Sequence, residues 1–304
     1  MTTNPLAVSI CGVDFKNPVI AASGTFSFGF EFSKLFDIDR LGGISVKGLT
    51  REKREGNPGP RIAEAYGGVL NSVGLQNPGI DVFIKNMLPY LETKKIKVIA
   101  NIAGDSEADY CYLADRLNDT SVSIIELNIS CPNVKEGGMA FGVTPQSVKK
   151  ITAAVKKHAK KPLMVKLSPN VADIADNARA AEDGGADAIS LINTIKAMAV
   201  DVERRRPVLK NVTGGLSGPA IKPIALRMVW EVYNAVKLPI VGMGGIMNAS
   251  DALEFILCGA AAVQVGTANL IDPLSSGLIA DGLKKYVEKN KMNSLGELRG
   301  KLLV

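Results

Sequence analysis

Histidine is nearly missing from this chain: His158 is the single one among 304 residues. Because a histidine usually activates a nucleophilic cysteine or serine, its scarcity disfavours a Cys–His hydrolase. His158 itself lies in Lys156-Lys157-His158-Ala159-Lys160-Lys161, which reads as a solvated helix end. Cysteine is sparse too. Cys11, Cys111, Cys131 and Cys258 stand far apart with no C-x-x-C pair. That spacing argues against a disulfide framework, a zinc site or an iron–sulfur cluster held by this chain alone, and it suits a reducing compartment. No metal site is expected. Long apolar runs are absent, and Met1-Thr-Thr-Asn-Pro-Leu6 lacks the basic and apolar regions of a signal peptide. These features predict a soluble, cytoplasmic protein with no membrane partner. A strong charge of one sign is also lacking. The net charge of +6 is spread among mixed acids and bases, which is no nucleic-acid footprint but is compatible with small anionic ligands.

Apolar residues make up 46% of the chain, ample for a sizeable core, and 30 glycines suit tight turns and close backbone approaches to a ligand. Short β-like runs recur at 18–22, 43–47, 97–102, 124–129, 163–167, 188–193, 239–243 and 262–266. Amphipathic stretches lie between them at 108–117, 144–158, 172–183, 219–236 and 249–257. Strands alternating with helices over this length predict an α/β fold, a (β/α)8 TIM barrel forming one domain over 1–304; a doubly wound open sheet is the alternative. No linker or composition break divides the chain. Two connections, 50–77 and 194–219, are long for simple barrel loops. They follow the second and sixth strands, so they belong at the C-terminal face, where barrel enzymes keep their active sites. Arg204–Arg206 in the second reads better as a solvated turn than as a ligand clamp.

Polar side chains gather where the apolar runs end: Ser23, Lys47, Asn101, Asn128, Lys166, Asn193 and Thr194. Buried polar groups need partners, and seven at one mouth predict a site for a large, flat, polar ligand. Lys47 and Lys166 sit inside apolar strands. With few acids in neighbouring strands, anionic ligand groups are expected partners; a structural salt bridge and a Schiff base remain open. The last two strands end in Gly242-Met-Gly-Gly-Ile246 and Gly266-Thr267. In barrels this is the usual phosphate corner, where backbone N–H groups and a following helix dipole hold an anion. Gly214, Gly215 and Gly218 are further candidates. No G-x-G-x-x-G fingerprint is present.

The run Asn128-Ile-Ser-Cys-Pro-Asn133 joins a thiol, a hydroxyl and two carboxamides where a strand gives way to a loop. The amides suit the polar edge of a flat ring, and Cys131 suits a proton-transfer base beside a cofactor. The glycine-rich 134–142 stretch suggests a loop that closes over the site. Cys11, Cys111 and Cys258 read as inert thiols.

Together with Asn17-Pro-Val-Ile-Ala-Ala-Ser-Gly24, the 67–78 segment, Val165-Lys-Leu-Ser-Pro169, Thr213-Gly-Gly-Leu-Ser-Gly-Pro219 and Gly242–Ile246, this run resembles the class 1 dihydroorotate dehydrogenases over nearly the whole chain. The resemblance implies an FMN enzyme of pyrimidine biosynthesis that oxidises (S)-dihydroorotate to orotate. By the same resemblance Cys131 removes the C5 proton and flavin N5 takes the C6 hydride. Substrate would be held by Lys47, Asn71, Ser72, Val73, Gly74, Leu75, Asn128, Asn133, Asn193 and Thr194. Ser23, Lys47, Gly48, Asn101, Asn128, Lys166 and Ile192 would meet the flavin ring, and Gly218, Gly244, Gly245, Gly266 and Thr267 its phosphate end. The 134–142 loop is more similar to the NAD-linked B-type than to the fumarate-linked A-type. This implies a homodimer core with two subunits carrying FAD and a [2Fe–2S] cluster, a heterotetramer. The alternatives are a fumarate-linked enzyme, a flavin enzyme acting on another dihydropyrimidine and, more distantly, a Schiff-base aldolase using Lys166.

Overall fold

A computed structural model describes residues 4–130 and 141–303. Eight strands close into a barrel: β1 (Val19–Ala21), β2 (Gly43–Ser45), β3 (Lys97–Ile102), β4 (Ile124–Asn128), β5 (Leu163–Lys166), β6 (Ala188–Leu191), β7 (Ile240–Met243) and β8 (Ala262–Val265). Every neighbouring pair is parallel, and β8 returns to β1 through Val263 opposite Val19. That closure rules out the open-sheet alternative. The strands read as continuous apolar runs because both faces are buried, one against helices and one against the barrel interior.

Side-chain alternation sorts the two faces. Leu163 and Val165 of β5 pack outward in the main core, while Met164 points inward. Ile20, Ile99, Ile124, Met164, Ala188, Val241 and Ala262 form an apolar inner layer near the N-terminal strand ends. An antiparallel hairpin, Val8–Ile10 with Val13–Phe15, seals this end by burying Ile10 and Phe15 against that layer. The hairpin is an addition to the architecture read from sequence.

Helices occupy the positions the periodicity predicts, four of the five with side-chain caps at their starts. Glu107–Leu117, Pro145–His158 and Ala249–Leu257 begin with capping boxes at Ser106, Thr144 and Asn248. Asp173 caps Ile174–Asp183 by accepting from the N–H groups of Ala175 and Asp176. The expected 219–236 helix is divided: Pro219–Ile221 forms a 3-10 turn before the α-helix Lys222–Ala235. Helical segments over 80–92, unforeseen from sequence, fill the connection between β2 and β3. No described helix is long and apolar enough to cross a membrane.

The two long connections pair with each other. Ile195–Met198, Thr213–Ser217, Gly68–Asn71 and Ile62–Ala65 form a four-stranded antiparallel sheet in that order. Glycine is required at its contacts because the backbones approach so closely. A Cβ on Gly68 would lie 1.9 Å from the Ser217 carbonyl oxygen, and one on Gly215 would lie 2.0 Å from Thr194 Oγ1. Gly214 and Gly215 therefore serve this sheet, and Gly218 follows its end.

Candidate active site

Above the apolar layer, the same inward parity brings up polar residues. Ser45 of β2, Asn101 of β3, Glu126 and Asn128 of β4, Lys166 of β5, Ser190 of β6 and Gln264 of β8 all share it. Glu126 is the hub. Its Oε2 accepts from Ser45 Oγ at 2.8 Å and Asn101 Nδ2 at 2.6 Å. Its Oε1 accepts from Ser190 Oγ and Gln264 Nε2, both at 2.8 Å. Complete burial penalises its charge most, yet the Lys166 ammonium and the Asn101, Ser190 and Gln264 donors outweigh burial and hold its pKa below the ordinary carboxylate value. The sequence reading missed this group. The expectation of few acids near the strand lysines is corrected for Lys166 by Glu126, which lies within the β-like run 124–129. Strand parity was the available signal, since Glu126 lies on the same side of β4 as Asn128.

Lys166 is 5% exposed and acts on Glu126 through space. Its ammonium has no hydrogen bond or direct ion pair among the described residues, so its donors remain for a ligand at the barrel mouth. Next to it runs a directed chain of hydrogen bonds. Ser130 Oγ donates to Asn128 Oδ1 at 3.0 Å, Asn128 Nδ2 donates to Asn101 Oδ1 at 3.3 Å, and Asn101 Nδ2 donates to Glu126. Tyr110 adds a hydroxyl bond to the Asn128 carbonyl at 2.8 Å. Lys47 follows β2 and reaches the turn after β1: its Nζ lies 3.6 Å from where a Cβ on Gly24 would stand, beside half-buried Ser23.

The Asn71–Leu75 segment meets the same mouth. A Cβ on Gly48 would come 2.9 Å from Asn101 Oδ1 and 3.3 Å from Leu75 Cδ2, so Gly48 permits the three to pack. Gly74 and Leu75 both have positive φ, +76° and +54°. Asn71 Nδ2 donates to the Gly215 carbonyl at 3.3 Å, and the Val73 carbonyl accepts from Asn57 N–H. Ser72 Oγ is buried without a described partner. Asn193 Oδ1 accepts from Thr194 N–H, and the Thr194 hydroxyl packs on Gly215.

The glycine corner also assembles. Gly218, Gly244 and Gly245 have φ of +106°, +128° and +77°, open to glycine far more than to other residues. A Cβ on Gly245 would lie 2.8 Å from the Gly218 carbonyl oxygen, and one on Gly244 would lie 3.3 Å from Cγ1 of buried Ile192. Thr267 Oγ1 donates to Ser217 Oγ at 2.8 Å, tying the end of β8 to the loop sheet. Gly266 has room for a Cβ, in ordinary contact at 3.7 Å or more. At the start of the helix after β7, the N–H groups of Met247 and Asn248 donate to Asp251 Oδ2, and that of Asp251 donates to Asn248 Oδ1.

Cys131, Asn133 and the predicted loop up to residue 140 lie outside the described residues. Burial pushes the Cys11 thiol up to about 12 and also raises Cys111 and Cys258, which suits inert thiols. His158 is at an exposed helix end with Nδ1 2.8 Å from Asp115. Arg204 and Arg205 lie in an exposed turn, and the equally exposed Arg206 begins the two-residue strand Arg206–Pro207.

Comparison with known proteins agrees with the geometry. Residues 5–287 match the family described as Dihydroorotate dehydrogenase. The chain is 55% identical to the "Dihydroorotate dehydrogenase B (NAD(+)), catalytic subunit" of Alkaliphilus metalliredigens, over 99% of this chain and 100% of the relative. It is 56% identical to the protein of that name from Caldicellulosiruptor saccharolyticus, over 98% and 99%, and 53% identical to that of Bacteroides thetaiotaomicron, over the same shares. A closed parallel barrel, a polar mouth and a match along almost the entire chain lead to one conclusion: the chain belongs to the dihydroorotate dehydrogenase family.

Proposed function

We propose that this protein oxidises (S)-dihydroorotate to orotate in pyrimidine biosynthesis, using FMN bound at the C-terminal mouth of the barrel. The observation that carries this reading is the nearly buried Lys166 ammonium, with no hydrogen bond to any described residue, beside the Asn101–Asn128 amide chain. A flat ring edge bearing carbonyl oxygens and acceptor nitrogens matches such donors. Orphaned Ser72 Oγ and the Gly218, Gly244 and Gly245 cluster suit further polar and phosphate contacts.

When bound, FMN would supply the acceptor for the C6 hydride. The chain's own residues supply the rest. Lys166, Asn101, Asn128, Ser23, Gly48 and Ile192 orient the ring, with Gly266 and Thr267 joining the glycines at the phosphate end. Lys47 offers a cation to the substrate carboxylate. Asn71–Leu75, Asn128, Asn133, Asn193 and Thr194 hold the pyrimidine through amide contacts. Cys131 takes the C5 proton on Sγ while C6 loses hydride, and the C5=C6 double bond of orotate forms. The proton then passes from the thiol to solvent.

The electrons must leave the site. This chain has no dinucleotide fingerprint and no cluster-type cysteine spacing, and its relatives are named catalytic subunits of NAD-type enzymes. We assign electron transfer to NAD to a partner subunit carrying FAD and a [2Fe–2S] cluster, docked on a homodimer of this chain. The unpaired Cys11, Cys111 and Cys258 suit a cytoplasmic enzyme. The test is purification followed by identification of the released cofactor and assay of dihydroorotate oxidation with an artificial dye. A yellow protein releasing FMN and forming orotate supports the reading. A colourless protein that takes up no flavin and leaves dihydroorotate unchanged contradicts it.

A further inference from the structure

Glu126 is a fully buried acid for which the proposed reaction has no direct use. Its two oxygens receive hydrogen bonds from Ser45, Asn101, Ser190 and Gln264, so every near neighbour is a donor. The Ser45 and Ser190 hydroxyls could also accept, but the Asn101 and Gln264 amides turn donors to it and the Lys166 charge lies near, which together favour the ionised carboxylate. Burying a carboxylate is costly, and an apolar residue in this layer would be expected to pack at least as stably. The network even tolerates a second cost: Gln264 turns Nε2 to Glu126 and leaves its own Oε1 buried without a partner among the described residues. A charge retained at such expense points to a role beyond stability.

We infer that Glu126 is a positioning residue for the ring site: its carboxylate is the fixed countercharge beneath Lys166, and it dictates the donor–acceptor direction of Asn101 and Asn128. The second part follows from the acceptor-only nature of a carboxylate. Asn101 must turn Nδ2 toward Glu126, so its Oδ1 faces Asn128. Asn128 must then present Nδ2 to Asn101, leaving its Oδ1 to Ser130. One buried charge thereby selects among the flipped states of two amides at the mouth. The first part follows from position. Lys166 pairs in register with Asn128 and Ser190, on the strands flanking β5, and shares their inward side with Glu126. The depressed pKa of Glu126 agrees with both parts.

This inference rests on the flavin reading above, and its test separates the two. The midpoint potential of bound FMN is measured in the wild type and in Glu126→Gln, with circular dichroism and flavin spectra to check folding and occupancy. Removing the negative charge should favour the reduced, more anionic ring by about tenfold, the lower end of what a neighbouring charge does to an equilibrium. For a two-electron couple that is a rise of ~30 mV. Glu126→Asp, which retains the charge, should stay nearer the wild-type potential. A folded, flavin-loaded Glu126→Gln at the wild-type potential overturns the inference alone. A wild-type chain that takes up no flavin overturns the flavin reading and this inference with it. Should Glu126→Gln fail to fold, infrared spectra of wild-type protein carrying isotope-labelled glutamate decide the matter. A buried carboxylate band that shifts on flavin reduction is the expected result. A protonated-carboxyl band for Glu126, or no response to reduction, overturns the proposal.

Discussion

Lys47 and Lys166 show how far a single residue can be interpreted. A lysine in an apolar strand is legible because a buried ammonium needs a partner. For Lys166, part of that need is met by the Glu126 charge, with its hydrogen-bonding capacity left over. Lys47 is half-buried beside the Ser23–Gly24 turn. If it meets the substrate carboxylate, Lys47→Ala should weaken orotate far more than a neutral uracil-like ligand. Charge-assisted contacts are worth roughly 1.5–3 kcal/mol, so the orotate dissociation constant should rise by one to two powers of ten. Titration of flavin absorbance reads both ligands, and equal losses would remove Lys47 from the carboxylate. Cys131→Ala should leave FMN bound and slow anaerobic flavin reduction by ~10²–10⁴-fold, the usual contribution of a general base. Cys131→Ser should lie between, and near-normal reduction in Cys131→Ala would assign the proton to another group. Glu126 is the instructive omission. Its sequence neighbours Ile124, Ile125 and Leu127 mask it in a window average, but alternation gives it Asn128's side of the strand.

At the scale of elements, the eight barrel strands and five of the helices were legible because closure demands apolar strands and capping residues mark most of those helix starts, whereas the segments over 80–92 and the helix Ser275–Lys289 after β8 were not read. Predicted and observed strands differ by two residues or fewer at either end. The N-terminal hairpin was harder to read. Its turn is Cys11-Gly12, both at positive φ, where the common signal is Asn-Gly or Asp-Gly. The sheet joining the long connections was obscured because glycines at 67–68 and 214–218 suit a phosphate loop as well as close strand contact. The distances decide for Gly68, Gly214 and Gly215. Gly68→Ala should disturb this loop sheet while leaving the barrel's own strand pairing intact, since its Cβ would overlap the Ser217 carbonyl. Overpacking of this kind costs about 1–3 kcal/mol. Thermal unfolding should show at most that loss, whereas orotate affinity should fall several-fold because Asn71 and Thr194 lose their shared support at Gly215. Unchanged orotate affinity in a destabilised Gly68→Ala would separate the sheet from substrate binding.

For the whole molecule, the barrel provides a rigid frame with an apolar floor, a polar layer centred on Glu126 and a mouth bounded by the loop sheet. This grading along one axis suits a ring ligand at the strand ends and a second reactant above it. The electron path beyond the barrel was legible only as a lack, since no residues here form a cluster-binding or dinucleotide motif. The isolated chain should therefore oxidise dihydroorotate with dyes yet reduce NAD poorly. Coexpression with the proposed FAD and iron–sulfur partner should restore NAD reduction and yield a particle the size of two chains of each kind. Efficient NAD or fumarate reduction by the chain alone would contradict that division of labour while leaving the dehydrogenase reaction intact.

The most direct measurement is an anaerobic titration of the purified, FMN-loaded protein with (S)-dihydroorotate, following flavin absorbance and orotate together. The expected result is bleaching of the oxidised flavin with one orotate formed per flavin reduced. An oxidised flavin that persists under excess dihydroorotate, with no orotate formed, would contradict the proposed function.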